Sequence, residues 1–315
     1  MKNFALTGVA GYIAPRHLQA IKDTGNRLVA AMDPHDSVGI LDRYFPETSF
    51  FTEFERFDRH LEKLRRTKSS EKVDYISICS PNNLHDAHIR LALRVGADAI
   101  CEKPLVLNPW NLDQLQEIER ETEKKVYTIL QLRVHPALIS LKSELDKNRG
   151  DKKHNVVLTY ITSRGPWYTF SWKGRQELSG GVATNIGIHF FDLLMWLFGN
   201  VQNNYLFMRQ PDKSSGFIEL QNANVQWYLS IDRKDLPEEA LKNNRSTHRS
   251  ITIDGKEIEF TEGFTDLHKK VYENTLQGKG FDIEAARSSI EAAYQIRHLQ
   301  LSSLTEFYHP LLIKK

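Results

Sequence analysis

Residues 4–14 read Phe4-Ala5-Leu6-Thr7-Gly8-Val9-Ala10-Gly11-Tyr12-Ile13-Ala14, and this stretch decides the fold. A short apolar strand runs into a turn with small residues at three evenly spaced positions, Gly8, Gly11 and Ala14. In a strand-turn-helix unit the first allows the tight turn, the second lets backbone approach a pyrophosphate, and the third lets helix pack on strand. A helix through His17-Leu18-Gln19-Ala20-Ile21 then presents its N-terminus to phosphate, which makes Gly8, Gly11, Tyr12 and Ile13 candidate dinucleotide contacts. The spacing is not the strict G-x-G-x-x-G, and out of context it reads equally as a plain strand-to-helix turn. The context favours a nucleotide. A second apolar run, residues 28–32, ends at Asp33, about where an acidic residue accepts hydrogen bonds from an adenosine ribose. A carboxylate there repels a 2′-phosphate and so favours NAD over NADP; the alternative is a turn residue before Pro34.

Moving outward, short apolar runs keep alternating with amphipathic stretches, the pattern of βαβ units and a parallel sheet. A charged helix over 53–66 leads to a strand at 75–79, a helix over 85–95 stopped by Gly96, a strand at 97–101, a helix over 109–123 and a strand at 126–130. This predicts a doubly wound α/β Rossmann domain over 1–130. From Val156 the strand-like stretches lengthen: 156–161, 217–220, 225–231 and 249–253, with polar turns such as Asp254-Gly255. Residues 131–315 therefore read as an α+β domain with a large, mostly antiparallel open sheet, for substrate binding and oligomerisation. A helix from near His189 to Gly199 interrupts it, and helical segments over 264–276 and 283–301 close the chain.

The 315 residues carry a net charge of +2, with 40% hydrophobic and 26% charged residues, the balance of an ordinary globular protein. No overall field points to nucleic acid or to an anionic membrane. The N-terminus lacks a signal-peptide pattern and no uninterrupted apolar stretch reaches membrane-spanning length, so a cytoplasmic protein without membrane insertion is expected. Cys79 and Cys101 lie in apolar runs and match neither a CxxC nor a zinc spacing, so they read as core thiols and no metal is expected.

Two more strand ends carry chemistry-bearing residues. Ser80-Pro81-Asn82, followed by His85, closes the strand at 75–79, where the residues either touch the cofactor or, for Asn82 and Asn83, cap the next helix. Capping would leave His85 on the surface. Glu102-Lys103-Pro104 closes the strand at 97–101 and puts a lysine beside a carboxylate where open α/β sheets bind ligands. Partial burial disfavours a charged lysine and tunes it for proton exchange. The plain alternative is a solvated Glu-Lys pair at a strand end.

With the glycine turn, Asp33, Ser80-Pro81-Asn82 with His85, and Glu102-Lys103-Pro104 in this order, the chain resembles the glucose-fructose oxidoreductase and inositol dehydrogenase family, Gfo/Idh/MocA. The segment Gly180-Gly181-Val182-Ala183-Thr184-Asn185-Ile186-Gly187-Ile188-His189-Phe190-Phe191-Asp192 resembles that family's second signature. The resemblance implies a Rossmann domain joined to an open antiparallel sheet, with substrate bound between them beside the nicotinamide. Gly11 to His17, Ile161 to Tyr168 and Ser171-Trp172-Lys173-Gly174 are further similar to one branch of the family, the bacterial UDP-N-acetyl-2-amino-2-deoxy-D-glucuronate dehydrogenases. That branch implies oxidation of the 3-hydroxyl of UDP-N-acetyl-D-glucosaminuronic acid, for the diaminouronic acids of lipopolysaccharide. It also implies a retained nicotinamide reoxidised by a 2-oxo acid such as α-ketoglutarate, and a homotetramer. Two departures stand out: Asn185 occupies a place where the family often has aspartate, and the glycine turn carries one extra residue.

Hydride loss from a secondary alcohol needs a base on the hydroxyl, and histidine is suited to it near neutral pH. On the resemblance, His189 is the candidate base and Lys103 its partner, either stabilising the alkoxide or relaying the proton; the sequence leaves both assignments open. Asn185 can only hydrogen-bond. The substrate's phosphates and carboxylate call for cations, and Arg164, Lys173 and Arg175 cluster with Trp167, Tyr168 and Trp172. Arg164, Tyr168, Lys173, Asn185, His189 and Lys103 are the candidate substrate residues. Arg133 and His135 either reach the same cleft or cap the hinge. Two other readings are a dehydrogenase of a free sugar or cyclitol, and a nicotinamide-binding sensor without catalysis.

Overall fold

The computed structural model describes residues 1–67, 69–148, 150, 152–258 and 266–313. The chain forms two compact units, Met1–Gln131 with Thr265–Arg287, and Leu132–Phe264 with Ser288–Lys315.

In the first unit six strands, β1 (Asn3–Thr7), β2 (Arg27–Met32), β3 (Ser49–Phe51), β4 (Tyr75–Ile78), β5 (Asp98–Cys101) and β6 (Val126–Thr128), form a parallel sheet in the order β3-β2-β1-β4-β5-β6. All five residues of β1 are buried, as expected for a parallel strand covered on both faces. The helix Phe54–Arg66 shows how covering helices form: Phe57, Leu61 and Leu64 repeat at helical spacing and are buried, while the remaining faces are charged. The strand order reverses between β1 and β4, so a ligand crevice is expected at their carboxyl ends. There Gly8 has φ +80°, and a Cβ on it would lie 2.6 Å from the carbonyl carbon and oxygen of Cys79. Only glycine lets these strand ends approach so closely.

The division of the chain departs from a single break at residue 130. The helix Leu267–Leu276 is expected over 264–276, of which Phe264 and Thr265 lie outside the described residues, and it belongs to the first unit. Its Tyr272 is fully buried, hydrogen-bonded to Ser77 Oγ at 2.6 Å and His17 Nδ1 at 2.7 Å, and stacked on Phe4. Phe281 further pairs its carbonyl with the Thr128 N–H, extending the edge at β6. Helical periodicity identifies an amphipathic segment but not the core that receives its apolar face.

The second unit contains β7 (His154–Thr162), β8 (Val201–Arg209), β9 (Lys213–Leu220), β10 (Ala223–Ser230), β11 (Thr247–Ile253) and β12 (Lys256–Glu257), ordered β12-β11-β7-β10-β9-β8. Neighbours are antiparallel except β7 and β10, in line with the expected mostly antiparallel sheet. Val156, Leu158, Trp227, Leu229 and Ile251 share one core with the helix Ile188–Phe198. Phe191 of that helix meets Trp227 edge to face at 5.3 Å between ring centroids. The segment Gln176–Phe198 is long and apolar enough to cross a membrane by length and composition alone, but 83% of its apolar 18-residue stretch is buried inside the protein. Among the elements beyond those expected are β3, β8, β12 and the helix Pro136–Lys147. β8 runs along a sheet edge, and its polar run Gln202-Asn203-Asn204 hides the alternation that marks a half-buried strand.

Trp227 has no exposed surface, so Trp227→Ala is expected to destabilise the protein by about 3–5 kcal/mol through lost burial and a residual cavity. Phe170, which is 88% exposed, is the matched control, with a change in urea unfolding within about 0.5 kcal/mol for Phe170→Ala.

Candidate functional site

In the first unit the glycine turn follows β1 directly. The Gly8 N–H donates to the Met32 carbonyl at 2.8 Å, and the Gly11 N–H to the Gly8 carbonyl at 3.0 Å. The helix Ala14–Asp23 begins after Ile13, with proline in its first turn and no side-chain cap. Its N-terminus is therefore a fitting place for phosphate, where the helix dipole favours negative charge. Tyr12 is exposed and Gly11 and Ile13 are half-buried. Asp33 is buried at the end of β2, where Oδ2 accepts the Ala10 N–H at 3.0 Å and Oδ1 the His35 N–H at 2.9 Å. It thus ties the glycine turn to the strand end, and each oxygen retains acceptor capacity for a ribose hydroxyl. These donors and this carboxylate suit a dinucleotide.

At the end of β4, Ser80 is buried with its hydroxyl 2.9 Å from His88 Nδ1, Pro81 is half-buried, and Asn82 is buried in a 3-10 turn. Leu84, not an asparagine, precedes the helix His85–Arg94, and it gives no side-chain cap. His85 is buried, not a surface residue. Its Nδ1 lies 2.7 Å from the Pro104 carbonyl and its Nε2 2.9 Å from the Ser80 carbonyl. Burial lowers its pKa, against the two carbonyls and the Glu102 charge that favour the imidazolium. The ring bridges two loops.

Glu102 also turns inward. Oε1 meets His17 Nε2 at 2.9 Å and His268 Nε2 at 3.0 Å, and Oε2 accepts the Lys103 N–H at 3.2 Å. Burial alone would raise this carboxyl's pKa, but the histidine hydrogen bonds outweigh it and hold the group well below the usual carboxylate range. Lys103 follows at once and is half-buried. Neither His17 nor His268 stands out in the sequence; the one local signal is that His17 falls on the buried face of its helix with Leu18 and Ile21.

In the second unit a π-helical turn, Ala183–Gly187, leads into the helix Ile188–Phe198. Such turns recur at functional sites because the extra residue re-aims side chains. Asn185 is buried and its amide donates to the Tyr168 hydroxyl at 2.8 Å. Tyr168 is itself buried, and burial raises its phenol pKa. His189 is half-buried on a helix otherwise buried except at Trp196. One turn on, Asp192 is buried in a two-pronged pair with Arg133, at 2.6 and 3.0 Å. That pair assigns Arg133 to bracing the helix. His135 is buried. Arg164 and Arg175 are exposed in the segment after β7, while half-buried Lys173 holds its ammonium 4.6 Å from the Trp172 ring centroid and 5.7 Å from that of Trp167. Burial first, and then the Arg164 charge, lower the Lys173 pKa. Two like charges held near one another with aromatic rings suit an anionic ligand.

Comparison with known proteins fits this arrangement. The family model described as "Oxidoreductase family, NAD-binding Rossmann fold" matches residues 2–130, and that for the oxidoreductase family's C-terminal alpha/beta domain matches residues 153–233. The chain is similar to the crystallised WlbA (WbpB) dehydrogenase from Thermus thermophilus, at 52% identity over 99% of this chain and 100% of that one. The TM-score is 0.95 for its complex with NAD and alpha-ketoglutarate and 0.94 for that with NAD and UDP-GlcNAcA. Among curated proteins, D-glucoside 3-dehydrogenase of Escherichia coli (strain K12) is 30% identical over 55% of this chain and 56% of that protein. Inositol 2-dehydrogenase of Rhizobium meliloti (strain 1021) is 26% identical over 62% and 54%. The chain thus spans about half the length of these two curated relatives. It belongs to the Gfo/Idh/MocA oxidoreductase family, with an NAD-binding Rossmann domain and that family's C-terminal alpha/beta domain.

Proposed function

We propose that this protein oxidises the 3-hydroxyl of UDP-N-acetyl-D-glucosaminuronic acid to the ketone, using NAD. α-Ketoglutarate then reoxidises the nicotinamide, and the product serves diaminouronic acid synthesis for lipopolysaccharide. The observation that carries this reading is 52% identity across the whole chain to a dehydrogenase crystallised with NAD and UDP-GlcNAcA and, separately, with NAD and alpha-ketoglutarate. The Arg164 and Lys173 cations with their tryptophans support an anionic sugar nucleotide. A cytoplasmic homotetramer completes the proposal.

When bound, NAD supplies the hydride acceptor. The carbon at position 3 loses a hydride and its hydroxyl loses a proton, so the sugar loses two hydrogens. On this reading His189 takes the hydroxyl proton and Lys103 stabilises the developing alkoxide charge, or Lys103 relays the proton itself. Asn185 has no basic atom and orients the sugar by hydrogen bonding, with Tyr168 behind it. Arg164 receives carboxylate or phosphate in two-pronged fashion and Lys173 contributes a point charge. Gly8, Gly11, Tyr12 and Ile13 hold the pyrophosphate, Asp33 the adenosine ribose, and Ser80, Pro81 and Asn82 border the nicotinamide half.

A dehydrogenase of a free sugar or cyclitol is the second reading, favoured by the likeness to D-glucoside 3-dehydrogenase and inositol 2-dehydrogenase. UDP separates the two: protection of the protein by UDP against thermal unfolding is expected here and is absent for a free-polyol enzyme.

Incubation with UDP-N-acetylglucosaminuronic acid and α-ketoglutarate is expected to give, by mass spectrometry, a sugar nucleotide lighter by two hydrogens together with 2-hydroxyglutarate; neither product appearing refutes the proposal. In single turnovers followed by nicotinamide absorbance, Lys103→Met and His189→Asn are each expected to slow reduction by about 10²–10⁴-fold. Unchanged rates in both variants sink the assigned chemistry.

A further inference from the structure

Glu102 gathers partners from two distant parts of the chain. His17 comes from the helix Ala14–Asp23 and His268 from the helix Leu267–Leu276, and both are buried with their Nε2 atoms on Glu102 Oε1. Behind His17 stand Tyr272, 2.7 Å from Nδ1, and Ser77, 2.6 Å from the Tyr272 hydroxyl. One assignment of protons satisfies every contact: Ser77 donates to Tyr272, Tyr272 to His17 Nδ1, and the Nε2–H groups of both histidines to the carboxylate. In this assignment His17 is neutral and donates to the ionised Glu102 carboxylate. Burial keeps His17 below its usual pKa despite the raising effect of Glu102, which agrees. The other carboxylate oxygen accepts the backbone N–H of Lys103, and His85 holds the Pro104 carbonyl on the far side of that lysine.

We propose that His17, His268 and Tyr272 are positioning residues that act through Glu102: they orient its carboxylate so that it fixes the backbone from which Lys103 reaches the substrate. This rests on the catalytic reading of Lys103 given above. The network accounts for burying a carboxylate at this strand end, since two histidine N–H groups and the Lys103 backbone N–H donate to Glu102. It also gives the late segment Thr265–Arg287, part of the first unit, a role in building the site. The His17, Glu102 and His268 donor atoms all lie within 4.8 Å of one another, a spacing that would also suit a metal ion. The hydrogen-bond assignment explains the 2.9 and 3.0 Å contacts without one.

The pH dependence of this cluster centres on the Glu102 carboxyl. It is faced by His17 from one helix, His268 and Tyr272 from another, Cys79 after β4, Cys101 of β5 and His85, while Arg16 and Lys103 act on its partners. Burial raises both thiols and the Tyr272 phenol well above their usual values, so they stay neutral. Each N–H donor to Glu102 lowers its pKa, so removing one raises the pH at which the carboxyl protonates.

The test uses the full chain with NAD and UDP-N-acetylglucosaminuronic acid, comparing His268→Leu, His268→Gln and Lys103→Met with the unaltered protein in single turnovers across pH. His268→Leu is expected to slow nicotinamide reduction by roughly 10–100-fold, the cost of a small misplacement of a reacting group, with NAD affinity and substrate KM unchanged. Its acid limb is expected to move to higher pH. His268→Gln keeps an N–H donor for Glu102 and is expected to recover most of the rate and the original limb. If Lys103→Met is slow while His268→Leu turns over normally, or if His268→Gln is as impaired as His268→Leu, the positioning role is wrong and the lysine's role stands. If Lys103→Met turns over normally, the catalytic reading falls and the positioning role with it. One equivalent of divalent metal in the purified protein, lost in His268→Leu, would overturn the proposal in favour of a metal centre.

Discussion

One buried carboxylate organises the first unit. An ionised carboxyl without partners in a protein interior costs on the order of several kcal/mol, so Glu102 persists there only because His17, His268 and the Lys103 backbone bring N–H groups to it. Meeting that demand draws helices from residues 14–23 and 267–276 to the end of β5. The Tyr272 and Ser77 hydroxyls continue the chain of donors into the sheet. The parallel sheet, the glycine turn and the late helix are thereby joined by directional bonds as well as by apolar packing.

The same logic holds for a buried carboxylate in the second unit. Asp192 sits one helical turn past His189, a spacing that suggests a base and its orienting acid. It is instead buried against Arg133, and the pair steadies the helix. Burial raises the Asp192 pKa while Arg133 opposes the rise, so the pair depends on both partners being kept. Glu102 is spoken for in the same way. Lys103 and His189, the groups proposed to react, are both half-buried. The π-helical turn before His189 and the strand end before Lys103 place them at discontinuities in otherwise regular elements, where a side chain can leave the packed interior.

Much of this was legible in the chain itself, for identifiable reasons. Strands buried on both faces read as continuous apolar runs, so β1, β2, β4, β5 and β6 could be located within a residue or two. Small residues at 8, 11 and 14 announce a tight turn because backbone crowding excludes larger ones, as the 2.6 Å approach to Cys79 shows at Gly8. Less visible were elements whose partners are remote or whose pattern is weak. β8 hides behind three polar residues at a sheet edge, and His85 looks like a first-turn surface residue until two carbonyls from separate loops are seen to enclose it.

By itself the sequence determined the alternation of strands and helices, the glycine turn with its carboxylate at Asp33, the two signature segments and hence the family. These are properties of neighbouring residues, where periodicity of 2 or 3.6 and local turn sterics act within a few positions. Only the tertiary structure decided that residues 265–287 belong with the first unit, that Glu102 is held by His17 and His268, and that Arg133 is bound to Asp192. Those pairings join residues separated by 85, 166 and 59 positions. A buried polar group's partner is chosen by where the whole backbone brings a matching donor, and no local pattern encodes that.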